Sequence, residues 1–370
     1  MTDILIIGAG IVGAAIGYGL ARQGCRVTLL DGDDTDHRAA RANFGLVWLQ
    51  GKGASMPSYH RLTRRSVDAW PGFNDELTRR AGGGLAYEHN GGLAFCLSEA
   101  EFEDRRARLH RLHNATGGDQ DWEMIERPAL ERLLPGIALG PDVVGASYGR
   151  TDGCCNPLQL LVSLQRGIVG LGGTILGGAR VETICPGAGG FHVDSAAGRF
   201  AADKIVIAAG IGSAALARQV GLKVDLHPER GQILVTERCE PFLPLPCSGI
   251  RQTVEGSVMI GATNERVGFD TLTTGRAAAR LAAQAARTIP RLGQARVVRQ
   301  WAGLRVMTPD GCPIYAQSAA HPGAFVALCH SGVTLAAFHA TGLAAAIDAG
   351  RLPGELDAFH QSRFDVSHAA

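Results

Sequence analysis

The sequence has no excess of either charge: 36 lysines and arginines stand against 35 aspartates and glutamates, a formal net charge of +1. That balance removes the electrostatic basis for holding nucleic acid or an anionic membrane surface. No apolar run is long and charge-free enough to cross a bilayer, which takes about 20 residues. The nine cysteines have no paired spacing. An odd number scattered without a framework predicts reduced thiols and a cytoplasmic setting. The adjacent Cys154 and Cys155 fit neither a CxxC redox pair nor a zinc site, so packing is their expected role. His110 and His113 lie three apart on a segment crowded with arginines, which repel a cation, and no metal site is expected there. The first motif begins within ten residues of Met1, which leaves no room for a cleaved signal ahead of it. At 370 residues the chain predicts one large or two intertwined domains with ample core.

Glycine, by contrast, is abundant at 50 of 370 residues, and its placement matters more than its number. The stretch from Asp3 to Asp31, DILIIGAGIVGAAIGYGLARQGCRVTLLD, reads as strand, tight turn, helix and strand. Ile4 to Ile7 is a continuous apolar run of strand length, which suits a central parallel strand covered on both faces. Gly8, Gly10 and Gly13 follow at once. The first permits a sharp turn, the second lets backbone approach a pyrophosphate, and the third brings helix close to sheet. The helix opens with free N–H groups and a positive dipole end, and runs to about Gln23 before Gly24 stops it. Asp31 closes the second strand, 18 positions after Gly13, where a carboxylate accepts both ribose hydroxyls of an adenosine. An acid there favours an unphosphorylated ribose, hence FAD or NAD over NADP.

Beyond Asp31 a polar stretch, Gly32 to Arg41, leads to ARANFGLVWLQ, where Ala42, Asn43, Gly45 and Leu46 are placed to lie along a dinucleotide or near its ring. From 58 to 80 apolar residues recur at helical spacing, and Pro71 is expected to kink or divide that helix. Residues 84–98 alternate around Asn90-Gly91-Gly92 and predict a hairpin. A charged helix follows over 99–113, a short one over 128–134, and another opens at Asn156-Pro157, cap and first position. Gly170, Gly172 and Gly173 end that helix and form a turn, not a second phosphate loop. A buried strand over 205–208 runs into Ala209-Gly210, a second small-residue approach to the cofactor. From 224 to 270 alternation predicts antiparallel strands of a different sheet. The strand 325–328 and an apolar helix over 333–349, opening at Gly332, complete the chain.

GAGIVG with Asp31, IVIAAG, GLRVMTPDGCPI and HSGVTLA, in this order and spacing, resemble the D-amino-acid oxidase superfamily of FAD enzymes, in its glycine oxidase and sarcosine oxidase branch. The resemblance covers nearly the full length. It implies an α/β fold: a Rossmann-like FAD-binding domain (1–83, 145–222 and 301–370) interleaved with an α+β substrate domain (84–144 and 223–300) built on an antiparallel sheet. It also implies that Gly332, Val333 and Thr334 put helix N–H groups beside the pyrimidine end of the flavin, where they would hold negative charge. Val181 is implied to touch adenine through its backbone. Arg305, the arginine of GLRxxTPDG, is implied to anchor the substrate carboxylate, a task that suits a planar guanidinium. The competing reading is a surface arginine paired with Asp310. His330 is the second catalytic candidate, against the reading of a satisfied core histidine.

No second GxGxxG exists, so the flavin is expected to be reduced by the substrate itself. Hydride would pass from the carbon bearing an amine to flavin N5, leaving an imine that water hydrolyses. The lone pair of a neutral amine drives this without an obligatory side-chain base. More narrowly, CHSGVTLAAFHA looks like the β subunits of opine oxidases and D-hydroxyproline dehydrogenases. That resemblance implies a small amino acid or secondary amine as substrate, an α subunit that takes the electrons, and leaves room for an FMN at the interface. Sarcosine oxidases tether the flavin near this point, and cysteine is absent at Arg305 and its neighbours, so the resemblance implies non-covalent FAD. Two alternatives stay open: a self-sufficient oxidase of glycine, sarcosine or a D-amino acid using oxygen, and a flavin-binding assembly subunit without turnover.

Overall fold

Strand β1 (Asp3–Ile7) is paired on both sides, in parallel, with β2 (Arg26–Leu30) and with Lys204–Ile207. In this computed structural model, which describes residues 2–33, 39–119, 121–187 and 189–365, it is central to a six-stranded sheet. The order is Ile314–Gln317, Ala324–Leu328, Lys204–Ile207, β1, β2, Thr174–Leu176, parallel except for the antiparallel Ile314–Gln317 edge. The continuous apolar run of β1 has a direct cause. Its alternate residues enter two separate cores. Ile4 and Ile6 pack with Leu20, Trp70, Leu164 and Phe338, under the helices Pro57–Ala81 and Pro157–Gly170. Leu5 and Ile7 pack with Ile184, Phe191 and Val193 of an antiparallel meander, Val181–Gly187, Gly190–Ser195 and Gly198–Ala202. All four are at most 3% exposed. At roughly 1.5–3 kcal/mol per buried aliphatic side chain, neither face tolerates a polar residue.

A second assembly stands apart from this sheet. His227–Arg238 and Val297–Met307 pair antiparallel over their lengths, and Ser257–Gly261 and Ile250–Gln252 extend the other edge. The strands Gly92–Cys96, Gly145–Gly149 and Trp122–Glu126 form a three-stranded sheet beside it. Leu93 joins the two: its N–H donates to Pro246 O at 3.0 Å and its carbonyl accepts from Ser248 N–H at 2.8 Å. Leu93, Leu234, Ile250 and Leu281 share one core. The α/β class, with antiparallel sheets of a different kind from the parallel one, is as the sequence predicts.

Three local expectations are corrected. The helix Pro57–Ala81 is not divided at Pro71. Its buried face holds it together: Trp70 stacks on Tyr87 and donates from Nε1 to Thr334 O at 3.0 Å, which outweighs one lost backbone bond. Residues 84–98 do not fold as a hairpin on themselves; Glu88 bridges Cys154, while Gly92–Cys96 pairs with Gly145–Gly149. The helix expected over 333–349 begins at Ala336 and passes through a π turn, His339–Leu343, before Ala344–Asp348. Within the polar stretch after Asp31, positions 34–38 lie outside the described residues. Cys154 and Cys155 are buried in packing, and all nine cysteines are free.

Candidate active site

The carboxyl ends of β1, β2, Lys204–Ile207 and Ala324–Leu328 open on a cleft of about 600 Å³, where ligands of parallel sheets bind. The three glycines after β1 do three different things. Gly8 turns at φ +103°, and a Cβ there would lie 2.5 Å from Ala208 O. A Cβ on Gly13 would lie 1.9 Å from Gly8 O, so helix α1 (Ile11–Arg22) can sit this close only without one. Gly10 faces the cleft with nothing within 4 Å of its would-be Cβ. The open space in front of Gly10 and the helix N-terminus behind it fit a pyrophosphate. Asp31 lines the same cleft and is oriented by the N–H groups of Ala9, 2.6 Å from Oδ2, and Asp33, 2.8 Å from Oδ1. Gly32, Val181, Ala209 and Gly210 line the cleft as well.

A second cavity of about 280 Å³ continues from the first, sharing Asn43, Val306, His330 and Val333 with it. Ala42, Leu46 and Thr334 line this inner part, as does Arg305. Leu335 N–H makes the first helical bond, to Ser331 O at 3.0 Å, so the N–H groups of Gly332, Val333 and Thr334 precede it. Thr334 fastens the site instead through its side chain, accepting from Trp48 N–H at 3.2 Å and donating to Leu46 O at 3.2 Å. Of the residues expected at the cofactor, Gly13 and Gly45 line neither cavity. Gly13 lies behind the turn; Gly45, at φ +91°, shapes the loop against Cys155 O.

Arg305 is three-quarters shielded on the long edge strand Val297–Met307. Both of its hydrogen bonds among the described residues leave from Nη1, to Thr263 O at 2.9 Å and Glu229 Oε1 at 3.2 Å. Its partner is thus the cross-strand neighbour Glu229, not Asp310, which pairs with Arg363 at 2.8 Å. Burial pulls the Arg305 pKa down and Glu229 opposes this; an arginine stays cationic regardless. His330 leaves the strand end with its ring towards the cavities. Its surface is open to the cavities, but desolvation by the protein around it, then the Lys52 and Arg305 cations, lower its pKa to about 3, which favours the neutral imidazole.

Sequence reasoning missed the loop that carries Trp48 and Lys52 into the inner cavity. Lys52 Nζ donates to Ser331 Oγ at 2.7 Å, and Tyr59 Oη donates to the same oxygen at 2.8 Å. The loop is fixed from behind by Asp152, wholly buried, which accepts from Leu49 N–H at 2.5 Å, Gln50 N–H at 3.3 Å and Gln50 Nε2 at 2.7 Å. Burial raises the Asp152 carboxyl to about 7 although these donors pull the other way. A folded-state value above the unfolded one of about 3.9 means the folded chain binds the proton more tightly between those limits. This group's contribution to stability therefore falls as pH rises from about 4 to about 7, by up to about 4 kcal/mol. His339, wholly buried and held down near 3 by that burial, acts in the opposite sense as pH rises towards about 6.5. Asp152→Asn is expected to remove the first trend alone. The difference in urea midpoint between wild type and variant should widen in the variant's favour from pH 5 to pH 8, and a difference independent of pH would refute the assignment.

A dinucleotide cleft opening into a cavity that holds an arginine fits a flavin-dependent amine oxidoreductase, and the comparisons establish that class. The chain belongs to the FAD dependent oxidoreductase family, whose model matches residues 3–346. It is 41% identical over 369 residues to an opine oxidase subunit of Agrobacterium tumefaciens (strain Ach5), covering 99% of both chains. It is 28% identical to glycine oxidase of Geobacillus kaustophilus, over 89% of this chain and 87% of that one. The crystal structure of glycine oxidase from Geobacillus kaustophilus superposes with a TM-score of 0.89 at 26% identity, covering 98% of each chain. The protein is an FAD-dependent oxidoreductase of amino acids or amines, and FAD is its cofactor.

Proposed function

We propose that the chain is the catalytic, FAD-carrying β subunit of a hetero-oligomeric dehydrogenase that oxidises the C–N bond of a small amino acid or secondary amine, of opine or D-hydroxyproline type. The observation that carries this is the guanidinium of Arg305, whose Nη2 edge has no protein partner among the described residues and stands in a cavity continuous with the dinucleotide cleft. FAD, when bound, would supply a two-electron acceptor, with N5 as the atom that would receive hydride from the carbon next to nitrogen. Arg305 would hold the substrate carboxylate and so fix which C–H faces the ring. His330, neutral and without a hydrogen bond among the described residues, would pack against substrate and exclude water, which fits a reaction driven by the amine's own lone pair. Gly332, Val333 and Thr334 would offer N–H groups to an electron-rich ring edge. The backbone of Val181 would meet the adenine.

The relative from Agrobacterium is by its name one subunit of an oxidase, which supports a second polypeptide that takes the electrons onward, with an FMN at the interface as part of that reading. Cys329 lines the cleft, but burial raises its thiol to about 12, which makes it a poor nucleophile and supports non-covalent FAD. Nine free cysteines support a reducing, cytoplasmic setting. No helix among the described residues is long and apolar enough to cross a membrane. With the function goes the proposed division into an FAD-binding domain (1–83, 145–222, 301–370) and a substrate domain (84–144, 223–300).

Anaerobic mixing with a panel of N-alkyl amino acids, following the flavin absorbance, tests the reading. Bleaching by at least one secondary amine bearing a carboxylate is expected, with little hydrogen peroxide when air is admitted to the chain plus its partner. No bleaching by any amine of the panel refutes an amine-oxidising subunit. Bleaching with stoichiometric peroxide from the chain alone replaces the dehydrogenase with an oxidase.

A further inference from the structure

The inner cavity has an unusual charge pattern. Lys52 and Arg305 both line it, and no aspartate or glutamate is among its lining residues. Each cation has donors left over. The ammonium of Lys52 has three N–H groups, and its one hydrogen bond among the described residues goes to the neutral Ser331 Oγ at 2.7 Å. No carboxylate of the described residues lies within ion-pair distance of it. Among the described residues Arg305 spends only Nη1 on protein acceptors, at Thr263 O and Glu229. Both cations line the same cavity as His330 and lie near enough to depress its basicity. A shielded ammonium held by one hydroxyl is costly to keep unless something negative meets it.

Nothing about this loop is loose. Trp48 N–H is tied to Thr334 Oγ1 at 3.2 Å, Leu49 and Gln50 N–H to Asp152, and Lys52 N–H to Leu49 O at 2.9 Å. The carbonyl of Lys52 lies 3.2 Å from His60 Nδ1. The loop therefore presents the amine from a fixed base, so little ordering is left for binding to supply. Burial lowers the ammonium to about 8, with Arg108 adding to the effect and Asp152 opposing it. A carboxylate docking on it would raise that value again by stabilising the ammonium.

We propose that Lys52 is a specificity-determining residue that grips a second carboxylate of the substrate, opposite the one on Arg305, so that the site selects secondary amines flanked by two acids. This rests on the amine-oxidising reading above. An amine nitrogen between two carboxymethyl arms would then sit between the two cations, with one arm on each, and a substrate carrying one acid would leave the ammonium unmet.

The test compares ligands that differ by one carboxylate. For turnover these are iminodiacetate and N-methylglycine; for binding without reaction they are thiodiacetate and (methylthio)acetate, followed by perturbation of the flavin spectrum. The holoenzyme, with its partner subunit, is used as wild type, Lys52→Met, Lys52→Gln and Lys52→Arg, and flavin content and melting temperature report folding. In both pairs Lys52→Met and Lys52→Gln are expected to reduce the preference for the two-acid ligand by about 30-fold or more, the scale of losing one shielded charge partner. Lys52→Arg should restore most of it. A preference unchanged in the variants, whether both ligands weaken together or neither does, overturns the assignment. A wild type that bleaches with neither amine, nor with any other of the panel, overturns the amine-oxidising reading itself.

Discussion

Arg305→Ala is expected to slow flavin reduction by carboxylate-bearing amines by about 1,000-fold or more, most of it in the concentration needed for half-maximal rate. The magnitude follows from the environment of the guanidinium. It is three-quarters shielded on an edge strand facing the inner cavity, where a charge-assisted pair is worth more than at a surface, and about 4 kcal/mol corresponds to three decades. Removing the guanidinium also leaves the Glu229 carboxylate beside the cavity without its 3.2 Å partner, so the variant site repels the substrate acid. Arg305→Lys is expected to recover only part of the loss, because one ammonium cannot serve Glu229, Thr263 O and a ligand in the geometry of a planar fork. Gly231 offers an independent check. A Cβ there would lie 2.8 Å from Nη2 and 2.9 Å from Cζ of Arg305, so Gly231→Ala must push the guanidinium aside. Stopped-flow reduction of that variant should show a KM raised by about 10-fold with kcat changed less, as loss of positioning predicts. An Arg305→Ala enzyme that reduces its flavin at the wild-type rate would remove the carboxylate anchor, and with it the main support for the proposed substrate class.

The residues legible from the sequence were those whose roles are set by near neighbours. Gly10, Gly13 and Asp31 act within one strand–turn–helix–strand unit, where local backbone geometry decides what each can do; the turn at Gly8 is local too, although the carbonyl its Cβ would strike is that of the distant Ala208. The substrate side was different, because its partners come from remote parts of the chain. Arg305 meets Glu229 through the register of two strands 76 positions apart, and proximity in sequence pointed to Asp310 instead, which a C-terminal arginine had already taken. Lys52 is bonded to a serine 279 positions away, and the acid that fixes its loop is about 100 positions on. In sequence it is one lysine between two glycines of a turn. Pro71 shows the same limit from the other side: a local rule predicted a kink or a division, and with Trp70 and Phe73 buried against distant parts of the chain the helix is not divided.

Gly10 gives the sharpest separation between holding the fold and holding the cofactor. Its backbone, at φ −68° and ψ −179°, is open to any residue, and nothing in the protein lies within 4 Å of where a Cβ would stand. Gly10→Val should therefore fold, with an apoprotein melting temperature within about 4 °C of wild type, the scale of about 1 kcal/mol or less. The space it fills is the approach of a pyrophosphate to the N-terminus of α1, so its FAD affinity should fall by about 100-fold or more. Gly13→Ala has the opposite profile. Its Cβ would meet the carbonyl oxygen of Gly8 at 1.9 Å, backbone against backbone with no side chain to yield, so helix and strand must separate and the fold itself should be lost. Equilibrium binding of FAD to apoprotein, together with thermal unfolding of the same samples, distinguishes the two. A Gly10→Val protein that stays yellow through purification and dialysis would move the dinucleotide away from this turn, and the assignments of Asp31, Gly32 and Val181 along the same cleft would fall with it.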